Sequence, residues 1–199
     1  MDSDKSWEWL QKFSSHPMIN LIHIPRPIGG SEALDIGVRA IRSAYVAWCD
    51  CDDLLIPGYH MLAIDYLDAH SEIDFVGCRP KHIDDVGNVV PIETPPPSNH
   101  DHFVYNLFVA GLCCNPGPVI RRDKYFAVGG FNIDDKLNYA GDYDFYLRFV
   151  EKYRTVFLDR EGYAFRQKSK NRTSLSDNYE MHCRMAADSL TRSIFRRSV

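Results

Sequence analysis

The chain is most usefully read first through what it lacks. No apolar run among its 199 residues approaches the roughly 20 needed to cross a bilayer. The opening MDSDKSWEWL has neither the basic region nor the apolar stretch of a secretion signal. These absences lead to the expectation of a soluble, cytoplasmic protein. Positive charge is not in excess: 23 Lys and Arg stand against 27 Asp and Glu, a formal net charge of -4. No global field therefore collects phosphate backbones, and generic nucleic-acid binding is disfavoured. The six cysteines, Cys49, Cys51, Cys78, Cys113, Cys114 and Cys183, contain no CxxC pair and no zinc framework, so reduced thiols are expected. Internal repeats and low-complexity tracts are also missing.

What is present is an ordinary globular composition, 45% hydrophobic and 13% aromatic, in a length that suits one domain over residues 1–199. Short apolar runs alternate with helical periodicities, which makes the class α/β. Residues 19–24 (INLIHI) read as a strand, followed by a Gly-rich turn and a helix with Leu34, Val38 and Ile41 on one face and Ser31 as its N-cap. Residues 45–49 (YVAWC) read as a buried parallel strand that stops at Asp50-Cys51-Asp52-Asp53. Further elements are a helix after Pro57-Gly58 to about Ala69, a strand over 73–78 and a turn-rich surface stretch over 79–101, with a candidate hairpin at 86–89 and three prolines at 95–97. A strand at 118–120 then leads to a short helix ending at Gly129-Gly130 and a strong helix over 140–152. A final helix occupies roughly 178–199, with Met181, Met185, Leu190 and Ile194 on its apolar side.

Three carboxylates within four residues at a strand end repel one another unless a cation or solvent screens them. A hard divalent ion, Mg²⁺ or Mn²⁺, suits all-oxygen ligands. A DxDD string is also what a solvated acidic turn looks like, and its position after a buried strand is what favours a site. A second pair, Asp142 and Asp144, falls in the first turn of the strong helix, where capping alone explains carboxylates. A catalytic reading makes one of them a general base for an attacking hydroxyl. His100-Asp101-His102 with the cysteines offers a weaker transition-metal reading, because His-x-His on a Pro-rich loop is an ordinary surface feature.

Taken in order, these motifs resemble the inverting glycosyltransferases of family 2, which have the GT-A fold. The run IGGSEALDIGVRAIRSAYVAWCDCDDLLIPGY (28–59) is similar to the family's glycine turn, helix, strand and D-x-D-D; VIRRDKYFAVGGFN (119–132) to its strand, arginine pair and Gly-Gly-Phe turn; and AGDYDFYLRF (140–149) to its acid-bearing helix. The resemblance implies a three-layer α/β/α sheet and metal-assisted transfer of a sugar from a nucleotide-diphosphate donor to a hydroxyl on a glycan or related acceptor, with inversion. It implies that Asp50 and Asp52 serve the nucleotide ribose and the metal-diphosphate, Mn²⁺ or Mg²⁺, that Asp53 supports them, and that Asp142 is the base. Arg148 and the Gly129-Gly130-Phe131 turn would shape the acceptor side. Within FRQKSKNRTSLS (165–176), Arg166 or Lys168 would meet the diphosphate.

Departures from the family pattern are Gly141 where a glutamate often precedes the base, Asp35 where asparagine is common, and Gln167, Lys168 and Lys170 where a histidine is frequent. The resemblance begins after the family's first strand-helix-strand unit, so the expectation is an open apolar sheet edge covered by a partner chain or a second copy, or else a rearranged sheet. The unmatched unit also sustains a competing reading, a catalytically silent binding or assembly module.

Overall fold

The computed structural model describes residues 5–91, 97–110, 117–133, 141–167 and 179–197. Helix α1 (Ser6–Leu10) is followed by α2 (Gly30–Ala40), β1 (Tyr45–Ala47), β2 (Leu54–Leu55), α3 (Tyr59–Ala69), β3 (Phe75–Ile83) and β4 (Val89–Val90). Then come α4 (His100–Tyr105), β5 (Val119–Arg121), α5 (Arg122–Ala127), α6 (Gly141–Val150), β6 (Thr155–Arg166) and α7 (Tyr179–Arg197). The strands join in the order β1-β5-β3-β6-β2, with β4 paired to the far end of β3. Among the described strands only β3 and β6 run parallel; the other pairings are antiparallel.

Alternation along the strands divides the core between the two sheet faces. Phe75 and Ile120 face Val38 of α2, Phe103 of α4, Tyr125 of α5 and Phe145, Tyr146 and Phe149 of α6. Their neighbours Val76 and Val119 face Tyr59, Ala63 and Leu67 of α3. Three layers result. On the α6 side Trp48 meets Phe131, Phe145 and Tyr146 at centroid distances of 5.1, 5.9 and 6.5 Å, contacts worth about 0.5–1.5 kcal/mol each beyond burial. Arg121 ties the layers at one corner, donating to the carbonyl of Leu67 in the last turn of α3 and to those of His70 and Ile73 beyond it.

Several expectations are corrected. INLIHI forms no strand: Ile19 and Ile22 are exposed and the segment is irregular. Strand propensity expresses how a residue fits a half-buried pleated surface, and no neighbouring strand among the described residues supplies one. The strand before the acidic motif is antiparallel rather than parallel, pairing Val46 with Ile120, and it lies at one end of the strand order. Ser31 is not the cap of α2, which starts from Gly29; it sits buried in the first turn, against Gly141. The stretch after Cys78 is not loop at first, since β3 continues to Ile83 and turns through Asp84–Asn88 into β4. Strand β6, α1 and α4 carry no clear periodicity in the sequence. On α7 the packed positions are Ala186, Ser189, Leu190 and Ser193, and Ile194 is exposed; the side chains of Met181 and Met185 lie outside the described residues. Small residues let α7 approach α6, and Ser193 donates to Glu151.

Candidate functional site

The acidic motif follows β1 and is closed by a turn in which the Asp53 N–H donates to the Asp50 carbonyl at 3.1 Å. Its three carboxylates differ sharply in environment. Asp50 is exposed, Asp52 half-buried and Asp53 buried. Asp53 is held by β6 from two directions: the Tyr163 hydroxyl donates to its Oδ2 at 2.8 Å and the Arg166 main-chain N–H to its Oδ1 at 2.7 Å. Burial pushes the Asp53 carboxyl above its ordinary pKa, and these two donors pull the other way. The Tyr163 hydroxyl also accepts from the Asp50 N–H at 3.0 Å. The Arg166 guanidinium donates through Nε to the Asp52 carbonyl at 2.9 Å and through Nη1 to the Asp84 and Asp85 carbonyls at 2.9 and 3.1 Å. One arginine therefore fastens the acidic turn to the β3–β4 hairpin. The hairpin is itself braced by Asp84, which accepts from the main-chain N–H groups of Val86 and Asn88 and from the Asn88 amide.

Next to the turn, the Gln167 amide lies 2.7 Å from Nδ1 of His82, and burial holds that imidazole below its ordinary pKa. Lys168 and Lys170 lie outside the described residues.

A second group forms where α2, the Gly-Gly turn and α6 meet. The Tyr125 hydroxyl donates to Asp35 Oδ1 at 2.8 Å and accepts from the Phe131 N–H at 3.0 Å, while Arg39 Nε donates to Asp35 Oδ2 at 2.6 Å. Arg148 pairs with the buried Asp144 one helical turn away at 2.7 Å. It also donates to the Val128 carbonyl and, at 2.8 Å, to the Gly130 carbonyl. Gly129 and Gly130 have φ of 90° and 71°, values that only glycine adopts cheaply. A Cβ on Gly130 would sit 2.6 Å from Asp35 Oδ1. Gly129, Gly130, Phe131 and Arg148 thus come together, and with Asp35 and Arg39 they line a cleft of ≈ 340 Å³. Asp142 is exposed in the first turn of α6. The preceding Gly141 is required sterically, because a Cβ there would meet Ser31 Oγ at 2.0 Å.

Among the described residues no group of three or more His, Cys, Asp and Glu side chains is arranged to hold a metal ion. Asp53 is buried and both of its oxygens accept hydrogen bonds, so among the described residues of this turn Asp50 and Asp52 are the more accessible carboxylates for a cation. The rest of its shell would come from water and phosphate, which suits Mg²⁺ or Mn²⁺ better than an ion needing a full protein cage. His100 and His102 do not form a metal site either. They open α4, where the His100 Nδ1 accepts from the Thr155 N–H at 3.2 Å and His102 meets Ser98. Cys113 and Cys114 lie outside the described residues. None of the described helices is long and apolar enough to cross a membrane.

Sequence reasoning missed Tyr163 altogether and assigned no role to Arg39. Tyr163 lies 110 residues from its partner Asp53, and no spacing rule reaches that far. The Asp35–Arg39 pair at i, i+4 was a signal that could have been used.

Comparison with known proteins follows the same lines. The family model "Glycosyl transferase family 2" matches residues 2–128. No curated protein matches the chain. Among solved structures, S. aureus TarS 1-349 in complex with UDP-GlcNAc superposes with a TM-score of 0.66 at 19% identity, covering 94% of this chain and 54% of that one. The mannosyltransferase PcManGT from Pyrobaculum calidifontis, in complex with GDP-Man and Mn²⁺, gives 0.62 at 17% identity, covering 96% and 52%. GalNAc-T7 with UDP, GalNAc and Mn²⁺ gives 0.61 at 10% identity, covering 93% and 39%. The chain therefore spans about half the length of TarS 1-349 and PcManGT. At these identities the superpositions speak for the GT-A fold, and the matched motif region speaks for the lineage: the chain belongs to glycosyltransferase family 2.

Proposed function

We propose that this chain transfers a sugar from a nucleotide-diphosphate donor to a hydroxyl of a glycan or related acceptor, with inversion at the anomeric carbon. The observation that carries the reading is the acidic turn itself. Asp53 is buried and clamped by β6, an arrangement that costs burial of a charge and is explained if it presents Asp50 and Asp52 in a fixed relation. Asp50 meets the nucleotide ribose and the metal-diphosphate, and Asp52 the metal-diphosphate. A Mn²⁺ or Mg²⁺ ion bound there would neutralise charge on the departing nucleoside diphosphate. Asp142 takes the proton from the acceptor hydroxyl as it attacks. The cleft of Gly129, Gly130, Phe131 and Arg148 receives the acceptor. Arg166 acts mainly by holding the turn, with Nη2 the part of its guanidinium that no described residue engages. The donors bound to TarS and PcManGT support a UDP- or GDP-linked sugar.

Calorimetric titration of the chain with UDP and with GDP, each with and without Mn²⁺, tests this. Metal-dependent binding of one nucleotide is expected. Heat from neither would refute the donor site and leave the competing reading, a fold kept as a binding or assembly module.

A further inference from the structure

We propose that Tyr163 is a positioning residue of the donor site, its hydroxyl setting the orientation of the Asp50–Asp53 turn; the inference rests on the reading that Asp50 and Asp52 meet the cation and diphosphate. The phenol is 1% exposed and touches the motif at both ends, accepting from the Asp50 N–H and donating to Asp53 Oδ2. A phenol has a single donor, and here it is committed to Asp53. Asp52 is thus bracketed by two residues joined through one oxygen atom.

The surroundings are shaped to keep the ring in place. Tyr163 lies in β6 with β3 and β2 paired on either side, opposite Pro80 and Leu55, so its backbone is fixed by the sheet. Gly117 leaves room for the ring: with φ of 69°, a Cβ there would come within 2.5 Å of Tyr163 Cδ2. A phenylalanine would fill the same space and bury the same ring. What it would remove is the side-chain atom that bridges the Asp50 N–H to the Asp53 carboxylate, leaving the main-chain bond of the turn as their remaining direct link. Hydrogen-bond partners behind metal- or ligand-binding carboxylates set their geometry and are worth about 10–100-fold in affinity; Tyr163 reaches Asp50 and Asp52 one step further back, through the Asp50 N–H and the Asp53 carboxylate.

The test is Y163F in the whole chain, read by Mn²⁺ binding with UDP and GDP through electron paramagnetic resonance. Y59F is its control. Tyr59 is a buried tyrosine of the same core cluster whose hydroxyl donates to the Val76 carbonyl at 3.1 Å rather than to the turn. Y163F is expected to weaken Mn²⁺-nucleotide binding about 10–100-fold and to change the Mn²⁺ line shape, with cooperative unfolding retained; Y59F is expected to lose stability and leave both unchanged. Wild-type affinity in Y163F, or equal losses in the two variants, overturns the assignment. Should Y163F fail to fold, Gly117→Ala, which keeps the hydroxyl and displaces the ring, decides: weakened binding supports the proposal and unchanged binding refutes it. A wild-type chain that binds neither nucleotide with Mn²⁺ sinks the donor-site reading together with this one. Binding by wild type that Y163F leaves intact sinks this one alone.

Discussion

Gly130→Ala, compared with Gly129→Ala, isolates how the cleft under the Gly-Gly turn is built. Both residues have positive φ, 71° and 90°, so each alanine carries left-handed strain of about 1–2 kcal/mol. That strain is offset in part by about 0.4–1 kcal/mol from the stiffer unfolded chain. The two positions differ in what the new methyl meets. At Gly129 the nearest atom is Arg148 Nη1 at 3.8 Å, ordinary contact, whereas at Gly130 the methyl would lie 2.6 Å from Asp35 Oδ1 and 3.0 Å from the Tyr125 ring. Those atoms belong to the bonded unit in which Tyr125 holds Asp35 and the Phe131 N–H, so relief requires moving the turn or breaking a buried bond. Overpacking of this kind adds about 1–3 kcal/mol. For a chain of this size that difference corresponds to roughly 2 to 12 °C in Tm. Thermal unfolding followed by circular dichroism measures both variants against wild type. Equal Tm values for G129A and G130A would refute the argument that Asp35 and Tyr125 close over the turn.

Asp142→Asn is expected to lower transfer by about 10²–10⁴-fold, the usual worth of a general base, while Mn²⁺-nucleotide affinity in calorimetry stays unchanged; loss of both assigns Asp142 to binding instead. In Arg166→Lys a single ammonium cannot span the Asp52, Asp84 and Asp85 carbonyls, so stability in urea should fall by about 1–3 kcal/mol and nucleotide binding should weaken with it; wild-type stability would show that the fork is dispensable. His100 accepts a main-chain N–H at Nδ1 and burial lowers its pKa, so the neutral ring stabilises the fold above the ordinary histidine value of about 6.5. That contribution is lost as pH falls through the lower folded value. Between pH 7 and 5 the Tm of wild type should therefore drop by more than that of His100→Gln, and parallel curves would contradict this.

From the residues alone one could obtain the α/β class, the helices α2, α3, α5, α6 and α7 and the strands around 45–47 and 119–121, while the grouping of Arg148 with Gly129, Gly130 and Phe131 was implied only by the family resemblance. The class and its elements are written in local periodicity, in turn chemistry and in short motifs, where neighbours in sequence are neighbours in space. The pairing direction of β1, the absence of a strand at 19–24 and the extent of β6 depend on which segments meet, and strand formation has no local cause strong enough to announce it. The acidic site divides in the same way. A repelling DxDD cluster is visible in the string, but the distinction between Asp53, buried and clamped, and the more accessible Asp50 and Asp52 arises only when β6 brings Tyr163 and Arg166 across more than a hundred residues to meet the turn. Electrostatic repulsion is a property of the sequence; its relief by particular donors is a property of the folded sheet.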